Sequence, residues 1–251
     1  MKLIPFYDDP SFDYKKYWQE RRYENQADQM ALKRLLKIVP EKGSLIDIGA
    51  GFGRLAPVYA SQFKKCVLLD PSEKMLIEAQ EKFKNKNLKF IKAYIKKLPF
   101  KEKSFDVAIL IRTIHHLKNP SLALKEAARV LKPQGYFILE FANKLHFKAK
   151  IRALLHLDFN YFSSLEPLKV GAVKNCDVPF LNYHPRYITN LLEKEGFQII
   201  KRVSVSNFRN RFCKKILPLK FLLFLEKLAQ ETYASFCLGP SIFILAQKKP
   251  T

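Results

Sequence analysis

The sequence predicts an α/β fold built on a doubly wound, mostly parallel β-sheet. Three observations carry this prediction. Short apolar strands alternate with helical patterns from residue 44 to residue 140, and one strand is uniformly apolar over 107–111, as expected of a strand covered on both faces. A glycine-rich turn joins the first of these strands to the first helix. Repeated strand–helix units of this kind form parallel sheets with right-handed crossovers.

The elements follow in order along the chain. Residues 1–40 form an aromatic-rich arm and a helix that ends at Pro40. The predicted strands are residues 44–48, 65–69, 88–91, 104–111, 136–140, 197–205 and 241–246. The predicted helices are one from residue 54, then 71–83 with Pro71 in its first turn, 120–131 after Asn119, 185–196 after His184, and an amphipathic helix over 216–228. A turn is predicted over 132–135.

Two long stretches interrupt the alternation, and we call residues 141–183 the first insertion and residues 206–240 the second insertion. Stretches of this length usually carry function, so we expect both to shape a substrate pocket. The whole chain, residues 1–251, is predicted to be a single domain: 1–40 as a helical lid, 41–140 as the core that binds a cofactor, and the two insertions. An ordinary packing helix is the alternative to the lid.

Composition limits the function classes. The 251 residues carry a formal net charge of +22, from 45 Lys and Arg against 23 Asp and Glu, and 48% are hydrophobic. Most of the excess positive charge comes from Lys, whereas Arg is the residue that binds phosphates bidentately. This composition favours a solvated basic surface over a nucleic-acid site.

The four cysteines (Cys66, Cys176, Cys213 and Cys237) lie far apart, which argues against a metal site or a disulfide framework. With neither a secretory signal nor a transmembrane segment in the pattern, we expect a cytoplasmic protein.

The glycine-rich turn is the strongest signal for a ligand. It runs from Asp47 through Gly49, Ala50 and Gly51 to Gly53, where the third glycine comes one residue too early for a dinucleotide fingerprint. Asp47 would repel a pyrophosphate and attract an ammonium group. Asp70 ends the next strand, 21 residues after Gly49, where a carboxylate can accept hydrogen bonds from ribose hydroxyls.

These residues resemble the class I S-adenosylmethionine-dependent methyltransferases, in particular the type-11 group. The likeness covers roughly residues 40–140 and includes the glycine turn, the run 69–76, Leu98-Pro99-Phe100, 104–106, 114–117 and 129–135. The resemblance implies a Rossmann-like, seven-stranded sheet with an antiparallel last strand and S-adenosyl-L-methionine as cofactor. It implies cofactor contacts at Asp47, Gly49, Gly51 and Asp70, to which we add Ala50, Gly53, Pro71 and Arg112.

One position departs from the family pattern. After the third strand the family often has an Asp that faces the adenine amino group, and Tyr94 stands at that position. Tyr94 can accept a hydrogen bond or stack on the purine, and we expect Ile95 to pack on the ring.

Candidate catalytic residues follow the fourth strand. His115 is the first candidate for a base or for a group that orients the acceptor, with His116 beside it; the alternative is that they cap the next helix or pack locally. Arg112 would bind an acidic substrate group or a neighbouring carboxylate. The first insertion and the residue after it add further candidates: Asn143, His146, His156, Tyr161, Tyr183 and His184. A structural role at the helix start is the more natural interpretation for His184.

Three functions remain open. The first is methyl transfer to a small or lipophilic acceptor by a monomer or homodimer. The second is an RNA or protein methyltransferase, suggested by the charge, and the third is a non-catalytic protein that binds S-adenosylmethionine. For the apolar helix 216–228 the alternatives are a pocket cover, a dimer interface and a helix on a membrane surface.

Overall fold

The computed structural model describes residues 13–84, 86–117, 119–172 and 179–250. Its helices are α1 (Tyr14–Gln19), α2 (Arg22–Leu36), α3 (Ala56–Tyr59), α4 (Glu73–Lys82), α5 (Pro120–Val130), α6 (Phe147–Leu155), α7 (Asn160–Ser163), α8 (Pro185–Lys194), α9 (Arg211–Ile216) and α10 (Leu219–Thr232). Its strands are β1 (Ser44–Ile48), β2 (Lys65–Asp70), β3 (Leu88–Lys92), β4 (Phe105–Leu110), β5 (Leu131–Ala142), β6 (Leu168–Ala172), β7 (Pro179–Asn182), β8 (Phe197–Val205) and β9 (Ser241–Lys248).

The main sheet confirms the predicted fold class. Within the described ranges it has seven strands in the order β3-β2-β1-β4-β5-β9-β8. The pairs from β3 to β5 are parallel, and the last strand, β9, runs antiparallel to both β5 and β8. The strand order reverses between β1 and β4, which is where open α/β sheets bind ligands.

Apolar residues on successive positions of the central strands supply two cores, one on each face of the sheet. Ile46 and Ala108 belong to the cluster under α5 and α8, whereas Leu45 and Val107 belong to the cluster under α2 and α3. Side chains alternate between faces along a strand, so a strand with an apolar residue at every position is covered on both sides. This explains the uniform pattern over 107–111.

Helix α10 fixes the second insertion to the N-terminal helices. The buried Glu226 of α10 accepts hydrogen bonds from the Tyr23 hydroxyl at 2.6 Å and from the backbone N–H of Ser206 at 2.8 Å. The opposite face of α10 leaves Phe221 and Phe224 exposed. The polar anchor shows that one face of this helix is a permanent part of the fold.

Several predicted boundaries are wrong. Pro71 does not open a helix: Ser72 is the N-cap of α4, and its hydroxyl accepts from the Met75 N–H at 3.2 Å. The predicted turn 132–135 lies inside β5, where Gln134 has a positive φ of 61° and a register shift against β4 absorbs the irregularity. The helix predicted over 216–228 is interrupted at Leu217 and Pro218, because proline cannot continue a helix.

The first insertion is more regular than its sequence suggests. It contains α6, α7 and the hairpin β6–β7, which lies beside a 3₁₀ turn at Ile114–His116. The Tyr183 hydroxyl ties the end of the hairpin to the carbonyl of Ile114 at 3.2 Å. Residues 1–12 of the predicted lid, and Cys176, lie outside the described residues. Across the described part of the chain, no helix combines the length and the apolar character needed to cross a bilayer.

Candidate active site

A cleft opens at the carboxyl ends of β1, β2 and β4, and we call it the glycine-turn cleft. Its larger lobe, about 190 Å³, lies between the glycine turn, the end of β2 and the 3₁₀ turn, and is lined mostly by apolar groups. Its smaller lobe, about 20 Å³, lies over Asp47 and Arg54. Tyr14, Gly49, Gly51 and Arg112 line both lobes, so the two form one continuous site at the predicted edge of the sheet.

The glycines of the turn are required by backbone geometry at two positions in the cleft. Gly49 and Gly51 have φ values of +78° and +54°, a region that side chains disfavour. A Cβ atom at Gly49 would collide with the Thr113 hydroxyl, and one at Gly51 would lie 3.6 Å from the Tyr14 ring. The third glycine, Gly53, is turned away from the cleft, and a Cβ there would meet the Phe83 ring at 2.8 Å.

Asp70 is held at the end of β2 by backbone donors. One carboxylate oxygen accepts from the Gly51 N–H at 2.8 Å and the other from the Ser72 N–H at 2.9 Å. Asp70 is buried, yet it lines the larger lobe. Each carboxylate oxygen has two acceptor positions, so the carboxylate can still accept from hydroxyl groups of a ligand.

Asp47 is a buried carboxyl at the floor of the smaller lobe. Its Oδ2 accepts a hydrogen bond from the Tyr59 hydroxyl at 2.7 Å. Burial raises the pKa of Asp47 to about 7, and the Tyr59 bond and the positive Arg54 only partly offset this rise. A cation placed beside this carboxyl would therefore stabilise its charged form.

A charge network of four buried or mostly buried groups supports the smaller lobe. The Asp28 carboxylate of α2 pairs with Arg54 at 3.0 Å and with Arg112 at 2.8 Å. Arg112 also lies 3.4 Å from the Glu140 carboxylate, which accepts from its backbone N–H at 2.8 Å. Of the two sequence alternatives for Arg112, the structure shows the neighbouring carboxylates.

Aromatic side chains of α1 cover the network. The Trp18 ring lies 3.7 Å from the guanidinium carbon of Arg54, and Tyr14 meets Trp18 edge to face with centroids 6.1 Å apart. Burial raises the pKa of Tyr14. The predicted lid segment thus places a ring in the wall of both lobes.

The two histidines occupy different positions. His116 lines the larger lobe, and its Nδ1 donates to the carbonyl of Pro179 at 3.2 Å. His115 is buried behind it, 4.5 Å from the Phe180 ring, and its Nδ1 has no hydrogen-bond partner among the described residues. Burial is the main cause that lowers the pKa of both imidazoles. Both rings are therefore neutral at pH 7, and His116 carries its lone pair on Nε2.

The remaining predicted contacts lie at the rim of the cleft or near it. Pro71, Tyr94 and Ile95 line the larger lobe, and 55% of the Tyr94 surface is exposed. Ala50 lines the smaller lobe. The sequence interpretation missed several lining residues as site residues, namely Ile48, Leu69, Met75, Lys96, Thr113 and Leu117. Thr113 could have been found from its place in the loop after β4.

The candidates of the first insertion hold structure together. The Asn143 amide donates to the carbonyls of Cys237 and Gly239, both at 2.7 Å, and the Tyr161 hydroxyl donates to the Lys144 carbonyl at 2.7 Å. His146 caps α6, and His184 caps α8. His156 is exposed at the end of α6. Among these candidates, His146 also lines a second cavity, described below.

A cavity of about 620 Å³ lies between the two insertions, and we call it the insertion cavity. Its walls come from the start of α6, the segment from Ser206 to Arg211, and Tyr233, Leu238 and Pro240. Partial removal from water and, second, the positive charge of Arg112 lower the pKa of Arg209 in its wall. Ser206 follows the end of β8 and Pro240 precedes the start of β9. Because β8 runs parallel to β5, both residues lie at the same edge of the sheet as the glycine-turn cleft.

Comparisons with known proteins agree with this architecture. A family model described as a methyltransferase domain matches residues 46–139. A ubiquinone/menaquinone biosynthesis C-methyltransferase from Rickettsia bellii is 34% identical over 178 residues, covering 66% of this chain and 69% of the relative. The chain belongs to the class I, type-11 family of S-adenosylmethionine-dependent methyltransferases.

Solved structures of methyltransferases share the fold. A methyltransferase dependent on S-adenosylmethionine from Thermotoga maritima superposes with a TM-score of 0.62 at 23% identity, covering 94% of this chain and 95% of that protein. A second, from Mesorhizobium loti, superposes with a TM-score of 0.57 at 17% identity, covering 86% and 96%. The protein is thus an enzyme with a Rossmann-like fold whose cofactor is S-adenosyl-L-methionine.

Proposed function

We propose that this methyltransferase transfers the methyl group of S-adenosylmethionine to a small lipophilic acceptor held in the insertion cavity. The observation that carries the proposal is the cavity itself. Its volume is within the range of pockets for small molecules, and Phe147, Phe208 and Leu238 contribute apolar walls. The Rickettsia relative is named for ubiquinone and menaquinone biosynthesis, which supports an acceptor of the same lipophilic character.

The glycine-turn cleft fits the cofactor in both lobes. In this proposal Asp70 accepts hydrogen bonds from the ribose hydroxyls, and Ile95 and Tyr94 cover the purine in the larger lobe, beside Pro71. The buried Asp47 receives the ammonium group of the amino-acid tail, since burial raises the pKa of its carboxyl and a cation beside it would stabilise the charged form. Gly49, Ala50 and Gly51 bring little or no side chain to the wall that faces the tail, and Arg112 holds the wall of the smaller lobe through its carboxylate partners.

When bound, S-adenosylmethionine supplies an electrophilic methyl carbon on a sulfonium. Displacement at this carbon depends on alignment of the acceptor and on exclusion of water. Tyr14 closes the cleft from the lid side, and the hairpin β6–β7 encloses the histidine turn. In this proposal the acceptor reaches from the insertion cavity to the larger lobe, where Nε2 of His116 removes its proton, and His115 packs against both His116 and Phe180.

An acceptor assay tests the function. The purified enzyme with isotopically labelled S-adenosylmethionine is offered a short-chain hydroquinone, a small polar amine and RNA, and transfer to the hydroquinone alone supports the proposal. The Phe208→Glu variant places a charge in the insertion cavity and should raise KM for the hydroquinone at least tenfold, with cofactor affinity unchanged. Phe159→Glu, on an exposed residue outside that cavity, is the matched control. Transfer to RNA or the amine instead would refute the lipophilic acceptor.

A second assay tests the histidine assignment. His116→Gln should lower kcat about a hundredfold, the usual contribution of a general base, with the Kd for the cofactor nearly unchanged. The lowered pKa of His116 predicts that kcat rises with pH in a range below 6.5 and is level above it. An unchanged kcat in His116→Gln would contradict the assignment of His116 as the base and would leave alignment of the acceptor as the source of catalysis.

We also propose a cytoplasmic location. Cys66, Cys213 and Cys237 carry free thiols, which is the usual state in a reducing compartment. Cell fractionation with an antibody to the protein tests this location.

A further inference from the structure

Helix α6 presents an apolar face to solvent. Phe147, Ile151, Leu154 and Leu155 recur at the spacing of one helical face, and each is exposed. The apolar exposure continues past the helix: Leu155, Leu157 and Phe159 are 79%, 73% and 64% exposed. Contiguous apolar surface of this kind is uncommon on a soluble protein and marks an interaction site.

The charges on the helix itself are all positive, and Asp158, between Leu157 and Phe159, is the acid that follows it. Helix α6 carries Lys148, Lys150 and Arg152 and no acidic residue. Helix α9 forms another wall of the insertion cavity and, like α6, has basic residues and no acidic one in its sequence, RFCKKI. Its Phe212 and Ile216 are exposed. Basic residues beside exposed apolar ones are typical of a helix that lies in the headgroup region of a bilayer.

A basic cavity of about 440 Å³ adjoins the other side of α6. Lys150, Arg186 and Arg202 line it, none of its lining residues within the described ranges is acidic, and the exposed Phe236 lies at its edge. The Nε atom of Arg202 is buried and has no hydrogen-bond partner among the described residues. Three cations around one cavity provide donors for a phosphate group.

We propose that α6 docks the enzyme on an anionic phospholipid bilayer. Leu154, Leu155 and their apolar neighbours enter the acyl boundary, and the basic cavity receives the phosphate of a lipid headgroup. Since α6 also forms a wall of the insertion cavity, the docked enzyme opens that cavity beside the membrane. This last step rests on the proposed function, whereas the docking itself requires no turnover.

Charge complementarity favours a lipid surface over the other occupants. Two copies of the chain joined through α6 would bring rows of positive charge together without an acid on either helix. An RNA would satisfy the charges but would leave the exposed leucines in contact with water. An anionic bilayer satisfies both features at once.

Vesicle flotation tests the docking. The full chain is mixed with vesicles of phosphatidylcholine alone or of equal parts phosphatidylcholine and phosphatidylglycerol, and we expect flotation only with the second. The double variant L154E/L155E should bind at least tenfold more weakly. The control is I77E/L122E, which adds the same two negative charges at exposed apolar positions of α4 and α5. The control should float like the unmodified chain, and all variants should retain their cofactor affinity.

A further double variant tests the basic cavity. R186Q/R202Q should weaken binding to the anionic vesicles by about fivefold for each charge removed, and the loss should shrink at high salt. The docking proposal is overturned if the unmodified chain stays in solution, or if L154E/L155E floats as well as I77E/L122E. It is also overturned if L154E/L155E abolishes a dimer seen by light scattering, or if RNA at low salt competes fully with the vesicles for the chain.

Discussion

The glycine-turn cleft and the first insertion differ in what lies beside their charged groups. In the cleft Arg112 and Asp70 have defined partners: Arg112 faces two carboxylates, and Asp70 accepts two backbone N–H groups. In the first insertion α6 has three basic side chains and no acid, and its apolar side chains are exposed. The charges of Arg112 and Asp70 are balanced within the chain, whereas those of α6 have no acid on their own helix.

This difference separates recognition of the donor from recognition of the acceptor. The cleft is built from strand ends and backbone N–H groups, which the sheet holds in place regardless of the rest of the chain. The insertions are built from short helices and a hairpin fixed by contacts such as the Asn143 amide. Substitutions of the residues assigned to cofactor contacts should therefore change cofactor binding, and substitutions in the insertions should leave it unchanged.

The largest effect is expected from Asp70→Ala. The variant loses the acceptor for Gly51 and Ser72 and for the ribose hydroxyls, and hydrogen bonds to a charged group contribute about 2 kcal/mol each. We expect cofactor affinity to fall about a thousandfold, measured by isothermal titration calorimetry. Asp158→Ala removes an exposed carboxylate of the first insertion and is the matched control. Equal losses in the two variants would contradict the separation of donor and acceptor regions.

The next effect concerns the charge network. Asp28→Asn leaves two guanidinium groups with one remaining carboxylate, and breaking a buried ion pair in this way costs about 3 kcal/mol of unfolding free energy. Urea denaturation measures the loss. Glu73→Gln breaks the exposed pair with Lys92 and should leave the urea midpoint unchanged. A similar midpoint for both variants would show that the network adds nothing to stability.

The sequence indicated the sheet and the glycine turn because both depend on local pattern. Apolar runs identified the seven strands of the sheet, and the glycine pattern pointed to a tight turn, which the structure shows with positive φ at Gly49 and Gly51. Asp28 was missed because its helix has the sequence pattern of a helix that only packs against the core. Its partner Arg112 is also 84 residues away in the sequence. The same holds for Glu226, whose partner Tyr23 is 203 residues away. Pairs at such separations leave no periodic signal.

The local sequence pattern also could not show which of the two histidines lines the cleft. His115 and His116 are neighbours in sequence, and tertiary contacts distinguish them: His116 donates to the Pro179 carbonyl and lines the larger lobe, whereas His115 is buried with its ring 4.5 Å from that of Phe180. Which side chains of the insertions are buried likewise depends on tertiary contacts that the local sequence pattern does not reveal. The pattern of the first insertion made no prediction about Leu154 and Leu155, and the structure leaves both exposed to water.

A smaller effect is expected from pH. The pKa of Asp47 rises from 3.8 to about 7 on burial, so the folded chain binds more protons than the unfolded chain between these values. The stability of the cofactor-free protein therefore falls as the pH rises from about 4 to about 7. An ammonium group requires the carboxylate, so cofactor affinity should fall about tenfold for each pH unit below about 7.

Calorimetry across this range in two buffers tests the dependence, because binding below the pKa must release a proton. Asp47→Asn should bind more weakly at pH 7 and show a flat profile. A flat profile in the unmodified protein would mean that the ammonium group lies elsewhere, and the assignment of the smaller lobe to the amino-acid tail would fail.

The smallest effect concerns Tyr94, where this chain departs from its family. A ring that stacks on a base contributes about 1 kcal/mol at the exposed end of the range, so Tyr94→Ala should weaken cofactor binding about fivefold. Tyr94→Asp supplies the carboxylate that the family often has and should recover this loss through a hydrogen bond to the adenine amino group. If Tyr94→Asp binds the cofactor as weakly as Tyr94→Ala does, the purine does not reach Tyr94 at the rim of the cleft. Ile95 would then be the residue that packs on the purine on that side. Because Tyr94 is half exposed, neither variant should alter unfolding, so a change in affinity reports on the cleft alone.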